Sequence, residues 1–145
     1  MTPTLAGRLQ TRWVMVWTIG LAWVLLVGPF LPFAGPTFAA VWSAGVASLV
    51  LVSVLGTAWE ILYHLIQQLR WDKDWPTVLG LVLGIPEGFV VHQLLNRGIP
   101  WSVGAVDVAP FVWQFGTVWL GIWAVTNGPI RILFPRWRFA GGRFW

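Results

Sequence analysis

Apolar residues fall into four long stretches, separated by short clusters of proline, glycine and charge. The first runs from Trp13 to Phe33, and Pro29 and Pro32 near its end remove backbone donors and stop a helix. The second starts near Phe38 and meets no breaker until Arg70. The third runs from about Thr77 to Leu95 and ends at Asn96-Arg97-Gly98-Ile99-Pro100. The fourth runs from about Ala109 to Asn127-Gly128-Pro129. A helix of about 20 apolar residues crosses the ~30 Å hydrocarbon core of a bilayer. The pattern therefore predicts an all-α fold: a four-transmembrane-helix bundle with helices at about 13–33, 38–69, 77–95 and 109–128. One integral membrane domain covers 1–145, and 129–145 is a basic interfacial tail.

The second stretch, about 30 residues, would be roughly 45 Å long at 1.5 Å per residue. It must tilt, bend near Gly56 or project past the bilayer. In its last third, helical spacing puts Glu60, Tyr63, His64, Gln67 and Trp71 on one face and Ile61, Leu62, Leu65, Ile66 and Leu69 on the other. This reads as an amphipathic end at the cytoplasmic interface.

Composition supports the membrane reading, with 57% hydrophobic and only 10% charged residues and a mean hydropathy of +0.73. No cysteine is present, which excludes disulfides and thiolate metal sites. The rival reading of the first stretch is a secretory signal peptide, but it is long for one and its prolines come late. The retained-helix reading places Arg8, Arg12, Arg70, Lys73, Arg131, Arg136, Arg138 and Arg143 on one side and Arg97 alone on the other. The positive-inside rule then puts both termini in the cytoplasm, and the arginine-rich composition suggests a bacterial cytoplasmic (inner) membrane. This topology accounts for the net charge of +4 without nucleic acid as a partner. Arg131, Arg136, Arg138 and Arg143 are expected to meet lipid headgroups or a partner.

An ionisable side chain at bilayer depth faces protein or water. Gly80, Gly84 and Gly88 repeat every four residues, and Glu87 shares their face. Small residues at that spacing permit close helix approach. Gly56 with Glu60 and His64, and Gly121 with Gln114, form similar stripes. The expectation is one buried polar seam of Glu60, His64, Glu87 and Gln114, packed through Gly80, Gly84, Gly88, Gly56 and Gly121. Pro86 should kink the third helix. The first helix, with only Thr18 and Gly20 near mid-span, should be the most lipid-exposed. Belts at the interface suit Trp13, Trp71, Trp75, Trp101 and Trp137, whereas Trp113, Trp119 and Trp123 should face lipid or a partner helix. Arg97 and Asp107 are candidates to pair across the outer loop.

Glu60 and His64, four apart, could join Glu87 as a two-carboxylate, one-histidine metal set. Glu87 could alternatively serve as a proton-coupled carboxylate in a small oligomeric transporter or channel. Neither a nucleophilic triad nor a phosphate loop is visible. The leading expectation is a non-enzymatic accessory or assembly subunit of a membrane complex. It needs no cofactor, and its partners are the bilayer and a membrane protein or a second copy.

Overall fold

The computed structural model describes residues 4–32, 37–69 and 77–145, apart from the side chain of Arg138. The chain is all-helical, about 80% helix, with no strand among the described residues. Four helices are long and apolar enough to cross a membrane: α1 (Leu5–Phe30), α2 (Phe38–Gln68), α3 (Thr77–Asn96) and α4 (Val108–Leu133). A short helix, α5 (Pro135–Phe139), follows. The turn holding Arg70, Trp71, Asp72, Lys73, Asp74 and Trp75 lies outside the described residues.

α1 begins at Leu5, well before Trp13. Thr4 caps it, its Oγ1 accepting from the Gly7 N–H at 3.1 Å. The added turns carry Arg8 and Arg12, which find partners inside the protein and need not remain in water. A π-helical turn at Val16–Gly20 divides α1. The extra residue it takes up shifts the register between the lower part, with Arg12, and the upper part, with Val24 and Gly28. Pro29 sits in the 3₁₀ turn Gly28–Phe30 that closes the helix.

α2 is unbroken for 31 residues. Ser48, Ser53 and Thr57 return their hydroxyls to carbonyls one turn earlier, so these three hydroxyls are satisfied within the helix. In its last third the polar face packs against the rest of the protein. Leu65 is 59% and Leu69 87% exposed, while Gln67 is 4% exposed. Ile61, Leu62 and Ile66 are exposed as well, and Glu60 points inward. The polar face is turned into the protein and the apolar face outward. That arrangement suits lipid, where polar groups must be satisfied internally.

α3 is interrupted at Leu83, between Thr77–Val82 and Gly84–Asn96. Pro86 causes this, because it has no N–H to offer the Val82 carbonyl. The glycine face of α3 receives aromatic rings from α4. A Cβ at Gly84 would overlap the Trp119 indole, and one at Gly88 would lie 2.8 Å from the Phe115 ring. The Trp119 N–H donates to the Gly80 carbonyl at 3.2 Å, and the Trp123 N–H to the Thr77 carbonyl at 3.0 Å. Trp119 and Trp123 thus pack on a neighbouring helix, α3, one of the two surroundings expected for them. Phe115 and Trp119 stack with centroids 5.8 Å apart.

The core lies among α1, α2, α3 and α4 and includes Val16, Val24, Ala47, Leu49, Val91, Leu95 and Val118. The helix least covered by the rest of the chain is α4, not α1: 11% of its most apolar window is buried, against 28% for α1. The buried positions behind this difference are Met15, Val16, Gly20, Val24 and Gly28, which face the other helices, whereas α4 buries only Phe111 and Val118 over its apolar stretch. After α5 the chain folds back on the start of α1. The Thr4 N–H donates to the Gly141 carbonyl at 3.0 Å, the Thr11 hydroxyl to the Gly142 carbonyl at 3.0 Å, and the Trp137 N–H to Thr11 Oγ1 at 2.7 Å. Gly141 and Gly142 take φ of 65° and 88°, which side-chain-bearing residues rarely adopt, and Gly7 is the residue they cover.

Candidate functional site

The described ionisable groups within the spans gather mainly in one cluster. Glu60 comes from α2, Glu87 from α3, and Arg8 and Arg12 from successive turns of one face of α1. Arg12 stands at the centre. Its Nη1 donates to Glu60 Oε1 at 3.0 Å, and its Nη2 donates to both carboxylate oxygens of Glu87. Arg8 reinforces the far side of Glu60, with Nη1 3.4 Å from Oε2, and its Nη2 donates to Gln67 Oε1 at 2.6 Å. The Arg12 and Glu87 side chains are 9% and 3% exposed. The Arg12 guanidinium also lies 5.6 Å from the centre of the Trp119 ring, within cation–π range.

Local sequence explains why the cluster fits. Gly56 leaves the space that the Arg12 guanidinium occupies, since a Cβ there would overlap it. Gly84 leaves room for the indole that lies against the same guanidinium. Two cations and two anions bring the cluster to formal neutrality. Isolated ions at this depth would cost several kcal/mol each, and mutual pairing with further hydrogen bonds offsets that cost. A cavity of about 100 Å³ adjoins the cluster, lined by Tyr63, Leu79, Gly80 and Leu83 with the four charged residues. It is roomy enough for water, and the Nε atoms of Arg8 and Arg12 are buried without protein partners.

The four residues expected to form one seam separate into three places. Glu60 and Glu87 meet at Arg12. His64 turns to Gln68, with Nε2 3.2 Å from the amide nitrogen. Gln114 lies elsewhere, its amide packed against Gly28 and Gly45. Among the described residues no three His, Asp or Glu side chains are grouped to hold a metal ion. The other histidine, His92, has Nε2 2.9 Å from the Val106 carbonyl and shares it with Asn96. Arg97 and Asp107 form no ion pair among the described residues, where the only three pairs are those of Arg8 and Arg12. A Cβ at Gly121 would lie 3.8 Å from the Trp23 ring, an ordinary contact, so glycine is not required there for close packing. Arg131, Arg136 and Arg143 are exposed, and Arg131 donates to Asn127 at 2.9 Å.

Sequence reasoning missed Arg8 and Arg12, which it counted only as topology charges. The signal was present: two arginines four apart share a helical face, and two buried glutamates call for two cations. No protein-family model, curated protein or solved structure matches the chain.

Proposed function

We propose that this protein is a non-enzymatic accessory or assembly subunit of a larger complex, embedded in a bacterial inner membrane as a four-helix bundle with both termini in the cytoplasm. The observation that carries this reading is the commitment of Glu60 and Glu87 to Arg8 and Arg12. The groups best placed to do chemistry are spent on joining α1, α2 and α3. In addition, α4 presents Val112, Trp113 and Leu120 outward and is the helix least covered by its own chain, which suits a docking face for another membrane helix. The test is site-specific photocrosslinking from position 113 in native membranes. A discrete adduct with another membrane protein, or with a second copy, is expected. Protein that is always monomeric, with no crosslinked partner, would contradict the reading.

A second reading, a small proton-coupled transporter or channel, draws on the ~100 Å³ cavity beside Glu87. It requires that Glu87→Gln abolish pH-dependent flux in proteoliposomes. Flux equal to that of the unaltered protein would remove it.

A further inference from the structure

A larger cavity, of about 480 Å³, lies between α1, α2 and α4 and shares only Trp119 with the lining of the cavity beside the ion cluster. Its wall is formed mainly by Val24, Leu49, Val52, Phe111 and Val118, with Gln114 among them. That volume is within the range of small-molecule sites, which combine apolar walls with a few placed polar groups. Gln114 supplies the polar group. Its Nε2 is buried and has no hydrogen-bond partner. Leaving a buried donor unmet costs about 1–3 kcal/mol. The amide is also held in place by design of the helices around it: a Cβ at Gly45 would overlap Nε2, and one at Gly28 would lie 3.3 Å from it.

We propose that this cavity binds an apolar molecule bearing a carbonyl oxygen, which accepts the Gln114 Nε2 hydrogen bond. What is missing at the wall is an acceptor. The nearby Ser48 hydroxyl already donates to the Ala44 carbonyl at 2.9 Å and so makes no demand of its own. The remaining contacts favour a hydrocarbon body. Asp107 and the 103–107 loop also line the cavity, so the ligand's more polar end lies toward the start of α4. Two sources present this chemistry: the ester carbonyl of a phospholipid with its acyl chain, and a free lipid-soluble carbonyl compound. This inference does not rest on the accessory-subunit reading, because a bound ligand and a partner protein occupy different surfaces.

The test uses full-length protein in lipid nanodiscs, read by thermal unfolding. One arm titrates decylubiquinone as a free carbonyl compound. The other compares ester-linked with ether-linked phosphatidylethanolamine in the disc. A saturable rise in Tm with decylubiquinone identifies a free carbonyl ligand, and a higher Tm in ester than in ether lipid identifies the phospholipid. In either case Ala44→Phe, which fills the cavity, should abolish the effect. Gln114→Leu, which keeps side-chain size and removes the donor, should weaken decylubiquinone binding about tenfold, or erase the ester–ether difference. No response in either arm, or equal responses in wild type and Gln114→Leu, would overturn the proposal. Should Ala44→Phe fail to fold, Gln114→Leu alone decides.

Discussion

Arg12 serves two carboxylates from two different helices, which makes it the central side chain of the ion cluster. Arg12→Ala strands Glu87 and leaves Glu60 only the longer contact to Arg8. A loss of about 3–5 kcal/mol is expected, measured by denaturant unfolding in detergent. Removing both ends of the Glu87 pair, as Arg12→Leu with Glu87→Leu, should restore most of that loss, because no uncompensated ion then remains. A double variant no more stable than Arg12→Ala would show that the pair contributes by geometry and not by charge balance. That Glu87 points inward is legible in the sequence, since it shares a face with Gly80, Gly84 and Gly88 and lipid would penalise it. That Arg12 is its partner is not. The same arginine satisfies a positive-inside count and a buried ion pair, and counting charges by side cannot separate the two. Gln114 shows a complementary limit. Periodicity gives the face a residue occupies, but not which helix stands opposite.

The contact between α3 and α4 is a glycine groove filled by aromatic rings, and its positions are unequal. A Cβ at Gly84 meets the Trp119 indole, whereas the nearest atom to one at Gly80 is Trp123 at 3.9 Å. Gly84→Ala should therefore cost about 1–3 kcal/mol, while Gly80→Ala should fall within about 0.5 kcal/mol of wild type. Thermal unfolding in detergent distinguishes them, and equal effects would contradict the packing described. Small-residue spacing gave the correct face of α3 and the wrong filling. The groove admits either a neighbouring backbone or a flat ring, and the fourfold spacing of Phe115, Trp119 and Trp123 was the clue to the ring. Likewise, the polar and apolar faces of the α2 end were legible from spacing, but not that Glu60 and Gln67 on the polar face meet the arginines of α1. An amphipathic pattern has the same period whether its polar side meets water or buried arginines.

Across the whole molecule, the ends of the chain are drawn together, with the Gly141–Gly142 turn covering Thr4 and Gly7. Four spans with joined termini and this charge distribution predict that a reporter fused after Trp145 reads cytoplasmic and one inserted at Ser102 reads external. An external reading at both positions would rule the orientation out. That four helices are long and apolar enough to span was plain from hydropathy, because a ~30 Å slab sets the length a crossing helix needs. Which helices exchange charge was not, because pairing depends on relative rotation. The separation of the ion partners also bears on biogenesis. Arg12 precedes Glu60 by 48 residues and Glu87 by 75, so at 5–20 residues per second a ribosome takes about 2–10 s to deliver the first counter-charge and about 4–15 s to deliver the second. Until both carboxylates have emerged the two arginines of the first helix are incompletely matched, so the final docking of that helix is tied to the emergence of the third.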